Sequence, residues 1–139
     1  MKRILKRASV VLPLCGILSL GLIGPASAAS SGVSRTGVTA NVSFAWSGTN
    51  SLTGVSYSIR DTECDNAPVY AQLYIMKADG SSAYTTRRFN SKGCNTTQTY
   101  SGLSYTSDNS KILYVQLLAC VEGTPDWCAA STQLDNPNW

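Results

Sequence analysis

Val38-Thr39-Ala40-Asn41-Val42-Ser43-Phe44-Ala45-Trp46 is the stretch that decides the fold class. Side chains of a β-strand point to opposite faces in turn. Val38, Ala40, Val42, Phe44 and Trp46 therefore fall on one side, and Thr39, Asn41, Ser43 and Ala45 on the other. This period of two predicts a half-buried strand. Downstream, Leu52–Arg60 repeats it, with Val55, Tyr57 and Ile59 opposite Ser56, Ser58 and Arg60.

Further strands follow at short spacing. Val69–Lys77 is apolar or aromatic on both faces, as a central strand would be. Asp79-Gly80 is a hairpin signal, and Ala83–Phe89 is the expected return strand. Thr96–Leu103 is Thr-rich and suits an exposed edge. Lys111–Val121 is the strongest apolar run. A buried helix competes there, but Ile112, Tyr114, Val115 and Val121 favour a strand. Trp127–Thr132 reads as a last short strand and Gln133–Trp139 as an irregular tail. No stretch shows capped helical periodicity. The expectation is an all-β fold: one immunoglobulin-like antiparallel β-sandwich of about seven strands.

The N-terminal end has a different character. Lys2, Arg3, Lys6 and Arg7 precede Val10–Ile23, which carries no charge. Gly24-Pro25 breaks that run, and Ala26-Ser27-Ala28 offers small residues for cleavage. This order predicts a secretory signal over residues 1–28. The apolar run is shorter than the roughly 20 residues of a bilayer span, so no stable membrane anchor is expected. Ala29–Thr36, mostly Ser, Ala and Gly, is expected to be a flexible arm ahead of a sandwich domain over 37–139.

Export also reads the cysteines. Cys64, Cys94, Cys120 and Cys128 follow the signal, an even count that predicts two disulfides. Three pairings exist. Cys64–Cys94 with Cys120–Cys128 is favoured because each closes a sequence-local loop.

Composition narrows the chemistry. The chain has 11 Lys and Arg, 8 Asp and Glu, and no His. Four of the bases lie in the export segment, so the remainder is slightly acidic, and nothing points to nucleic acid as partner. Without His, the commonest general base and most catalytic zinc sites are missing. Glu63 and Glu122 are the two glutamates. Asp61, Glu63 and Asp65 alternate around Cys64. They read as a solvated loop whose Asp side chains bond nearby backbone N–H groups, with a calcium site as the alternative. No catalytic residue, metal or cofactor is expected.

Binding is the function class that remains. The candidate contacts are Val33, Ser34 and Arg35 in the arm, Trp127 beside Cys128, and the terminal Trp139. Most aromatics are expected in the core, including Phe44, Trp46, Tyr57 and Tyr114. Tyr70, Tyr74, Tyr84 and Tyr100 are alternatively placed to line a sheet face and stack on sugars.

The Ala26-Ser27-Ala28 cleavage site, the Asp61-Thr62-Glu63-Cys64-Asp65 loop and the Cys120/Cys128 hairpin resemble small secreted β-sandwich proteins of actinomycetes. One such group is the adaptor subunit of umbrella toxin particles. That resemblance implies a protein joining a lectin-like subunit to a large toxin-bearing subunit, with Ala29–Thr36 as the connecting arm. An inhibitor of a secreted hydrolase, presenting the Val121–Trp127 loop, is the main alternative. A carbohydrate-binding module is the third.

Overall fold

The computed structural model describes residues 26–139. The export segment expected over 1–28 lies outside the described residues, apart from its last three positions.

The alternating stretch 38–46 forms strand β2 (Val38–Trp46), with all five of its apolar positions buried. Before it runs β1 (Ser27–Arg35), and after it β3 (Ser51–Asp61). The chain then crosses to a second sheet as β4 (Val69–Lys77), β5 (Ser82–Tyr84) and β6 (Arg88–Asn90). It returns as β7 (Thr97–Thr106), crosses again as β8 (Ile112–Val121), and ends in β9 (Trp127–Ala130) and β10 (Leu134–Asp135). One sheet has the order β1-β2-β3-β7. In the other, β4 and β8 are central; β5 and β6 flank β4, and β9 and β10 flank β8. All pairings are antiparallel. The two sheets enclose one core of Val38, Val42, Phe44, Trp46, Leu52, Ile59, Leu73, Ile75, Ile112, Val115 and Leu117, among others. Phe44 and Trp46 meet edge to face with ring centroids 5.2 Å apart.

The expected sandwich is therefore present, with ten strands among the described residues where about seven were expected. Three differences have identifiable causes. The flexible arm expected over Ala29–Thr36 is instead most of β1 and its turn. Ser27 through Arg35 pair without interruption with Trp46 through Val38. Ala29 and Val33 pack on the core, and Gly37, at φ 91°, turns the chain between the two strands. The strand expected over Ala83–Phe89 is split. Thr85 turns toward the core, and its Oγ1 accepts the Leu73 N–H at 2.9 Å in place of a ladder carbonyl. The tail is tied down by Asn136. Its buried Nδ2 donates to the carbonyls of Thr49 and Ile112, both at 3.1 Å.

The Asp79-Gly80 hairpin forms as expected, with Asp79 Oδ1 accepting the Ser81 N–H at 2.9 Å. Both disulfides have the expected pairing, Cys64–Cys94 and Cys120–Cys128. Both lie at one end of the sandwich, where β1, β3 and β8 finish. They close loops with sequence separations of 30 and 8. On the chain-entropy model the longer loop contributes about 3.5 kcal/mol and the shorter about 2.5. A Cys64→Ala/Cys94→Ala variant is therefore expected to lose about 1 kcal/mol more in denaturant unfolding than Cys120→Ala/Cys128→Ala. Equal losses would show that native-state contacts, not loop closure, set the contribution.

Candidate functional site

The disulfide-bearing end gathers most of the unusual side chains. Its frame is the antiparallel β4–β8 ladder. Tyr70 of β4 stands directly opposite Cys120 of β8. Leu73 and Leu117, in register and both on the core face, set the alternation. Tyr70 and Cys120 therefore both lie on the outer face of their sheet.

Cys120 binds Cys128, which opposes it on β9. Tyr70 reaches the same loop by another route. Its hydroxyl donates to Asp126 Oδ2 at 2.8 Å. Asp126 Oδ1 accepts the Gly123 N–H at 3.0 Å, closing the loop on itself. The Arg87 guanidinium lies over the Tyr70 ring, 4.5 Å from its centroid, and reaches Asp126 Oδ2 at 3.0 Å. The segment from Glu122 to Asp126 is thus held by a covalent bond, a charge-assisted network and the β8–β9 ladder, while Glu122, Gly123, Thr124 and Pro125 remain exposed.

At the end of that loop stands Trp127, 61% exposed. Arg35, the last residue of β1, lies over its indole with the guanidinium carbon 4.9 Å from the ring centroid. Arg35 Nη1 also donates to the Cys128 carbonyl at 3.1 Å, a contact between residues 93 positions apart in sequence. The first and ninth strands meet here because β1 ends beside β9. A surface cavity of about 310 Å³ beside them is lined by Arg35, Thr36, Glu63, Val121 and Trp127. Glu63 also lines an adjoining cleft of about 500 Å³, with Asp61, Glu122 and the Cys64–Cys94 bridge.

The other residues expected from sequence to make contacts are not in this site. Val33 packs on the core, and Ser34 Oγ pairs with Thr39 Oγ1 at 3.0 Å. Trp139 is 65% exposed, but its neighbour Asn138 bonds the Gly48 carbonyl at the opposite end of the sandwich. In the acidic loop, Asp61 Oδ1 accepts the Glu63 N–H and Asp65 Oδ1 the Ala67 N–H. Among the described residues no group of three or more His, Cys, Asp or Glu converges as metal ligands would. Of the four tyrosines considered for sugar stacking, Tyr74 and Tyr84 meet at 5.4 Å. Tyr70 is buried, and Tyr100 lies on the other sheet with its hydroxyl donating to the Phe89 carbonyl. Tyr114, expected in the core, instead joins Tyr74 on the outer face at 6.4 Å. The core face of β8 is occupied by Ile112, Val115 and Leu117.

Nothing in the sequence singles out Arg87 and Asp126. An Arg close to Phe89 and an Asp after Pro125 look like ordinary surface charges until the fold brings them to Tyr70.

The network leaves a titration signature. Burial, followed by the Asp126 hydrogen bond, pushes the Tyr70 hydroxyl up to about 12. The Gly123 N–H and then the Tyr70 hydroxyl hold the Asp126 carboxyl below its usual range. A raised phenol favours folding below the unfolded value of about 10, and that contribution is lost as pH rises through about 12. A phenolate absorbance step near pH 12 is thus expected in the folded protein. Tyr70→Phe should remove it and Asp126→Asn should lower it. An unchanged step in Tyr70→Phe would place the late titration elsewhere.

Two disulfides, with no helix among the described residues long and apolar enough to cross a membrane, fit an oxidising, extracellular destination. Compared with known proteins, the chain matches no family model, no curated protein and no solved structure.

Proposed function

We propose that this protein is an exported, non-catalytic protein-binding module that docks onto another secreted protein through its disulfide-bearing end. The observation that carries the reading is Trp127, largely exposed on a loop that is otherwise fixed, with Arg35 stacked on it. Trp and Arg are among the side chains most enriched at the energetic centres of protein interfaces. A large side chain held in place before binding loses little freedom on binding, so more of its burial appears as affinity. The loop's ties to Cys120, Tyr70 and Arg87 supply that rigidity.

An adaptor or component of a secreted assembly is the form of this reading that the sequence resemblance suggests. The connection it implies through a free N-terminal arm has less support than docking at Trp127, because Ala29–Arg35 is paired in β1. Inhibition of a secreted hydrolase is the second reading. It is favoured by the braced, outward-facing Glu122–Pro125 segment, which has the character of a loop able to enter a cleft.

The test is recovery of the protein from culture medium with its partner, followed by binding measurements on the isolated pair. Trp127→Ala is expected to weaken the complex at least about 30-fold, and Arg35→Ala about three- to tenfold. Binding that withstands both changes would remove this end from the interface. Stoichiometric block of a purified protease or glycosidase, lost in Trp127→Ala, would select the inhibitor form.

A further inference from the structure

Open β-sandwiches must manage their sheet edges, because an unpaired edge offers a row of N–H and C=O groups to any passing strand. Three of the four edges here are guarded. In the β4/β8 sheet, one edge is divided into β5 and β6, three residues each, with Thr85 turned inward between them. The other is divided into β9 and β10, four and two residues long. In the first sheet, β7 is long but irregular. Its register with β3 shifts twice, Gly54 and Gly102 take left-handed φ values of 59° and 68°, and Gln98 Oε1 accepts the Ser91 N–H at 2.9 Å.

The fourth edge has none of these devices. Strand β1 runs nine residues, Ser27–Arg35, with unbroken register against β2. It contains no Pro, Lys, Asp or Glu, and its single charge, Arg35, sits at the last position. Among the described residues, no backbone group bonds the side of β1 that faces away from β2.

We infer that this edge pairs antiparallel with β1 of a second copy, joining the two β1-β2-β3-β7 sheets across a two-fold axis. The sequence of β1 is self-complementary under that operation. With the axis at Ser31, Ala29 faces the second copy's Val33, Ser27 faces Arg35, and Ser31 faces Ser31. Directly opposed residues share a face, so the Ala29 and Val33 contacts to each core continue across the junction. No like charges meet. On the outer face Ala28 opposes Ser34 and Ser30 opposes Gly32, all small, which allows close backbone approach. Gly32 is itself required small because the Asn41 side chain fills the space where its Cβ would stand. If the chain is cut after Ala28, the Ala29–Val33 core of the pairing remains. One pair of strands buries less surface than the ~1,200–2,000 Å² of a standard interface, so the dimer is weak and concentration-dependent.

Light scattering over a concentration series checks this. The measured mass should rise from that of one chain toward twice it. The Ser30→Lys/Ser34→Lys variant places lysines on the exposed face of β1 and should remain at one chain's mass throughout. Its unfolding midpoint and near-UV circular dichroism should match the parent, showing that it folds. Thr99→Lys, an equivalent change on the guarded β7 edge, should dimerise as the parent does. Amide exchange across Ser27–Arg35 should slow with concentration in the parent and in Thr99→Lys, but not in the double lysine variant. A parent protein that stays at one chain's mass at every concentration overturns the proposal. So does a dimer that survives the double lysine variant. Because Trp127 is untouched in that variant, partner binding at the disulfide end reads independently of the outcome.

Discussion

The register of β4 against β8 is the constraint on which the disulfide-bearing end depends. It sets Tyr70 and Cys120 side by side on the outer face of the sheet, and each takes hold of the same loop. Cys120 grips Cys128 by a covalent bond, and Tyr70 grips Asp126 by a hydrogen bond to a carboxylate. A slip of one residue in either strand would turn that strand's anchor into the core, Tyr70 for β4 or Cys120 for β8, and expose Ala71 or Ala119 in its place. The loop would then lose one of its two anchors. The strength of the register comes from the inner face, where Leu73, Ile75, Val115 and Leu117 are fully buried against the other sheet. Core packing and site geometry are thus two faces of one ladder.

Trp127 shows what that arrangement achieves. A tryptophan beside a disulfide in a small domain is ordinarily used to cover the bridge. Here Trp127 opposes Val121, which packs on the core, so it lies on the face of the sheet turned away from the Cys120–Cys128 bridge, and the outer face is covered by Phe89, 5.2 Å from Tyr70, and by Arg87 over the Tyr70 ring. At the end of the sandwich the indole stands 61% exposed, with Arg35 of the other sheet against it. Arg35 does not hide the ring. It gives a cationic cover that a partner can share or displace, at a cost of about 1 kcal/mol for an exposed stack.

Much of the sandwich is legible in the sequence because large apolar side chains alternate strongly. Strands β2, β3, β4 and β8 carry Phe44, Trp46, Tyr57, Leu73, Ile75 and Leu117, whose burial dominates the free energy. The disulfide pairing is legible because both bridges are sequence-local. Strand β1 is not, since its inward residues Ser27, Ala29, Ser31, Val33 and Arg35 hardly differ in hydrophobicity from the outward ones. Its composition resembles that of a linker, and its first residues coincide with a cleavage pattern. The one signal present is Thr36-Gly37 immediately before a clear strand, which marks a hairpin turn. The Arg35–Trp127 contact is hidden for the same reason, because it requires β1 to run the length of the sandwich. Tyr114 escapes on different grounds. Lys111–Val121 is apolar on both faces, so composition does not tell inward from outward positions.

The same property that hides β1 in the sequence gives it its character in the fold. A strand of small uncharged residues forms because β2 offers a complete ladder of partners and because Ala29 and Val33 reach the core, not because its own side chains demand it. Such a strand contributes backbone hydrogen bonds, each worth about 1 kcal/mol net, and little hydrophobic burial. Its hold on the domain therefore rests mainly on the β2 ladder and on the Arg35 contacts at its end. Its outer edge has geometry suited to pairing and no charge along its length before Arg35 to repel it. Its inner side carries Arg35 to Trp127. The long strand with the fewest large apolar side chains thus both carries Arg35 to Trp127 and presents the one long edge that is regular and uncharged up to Arg35.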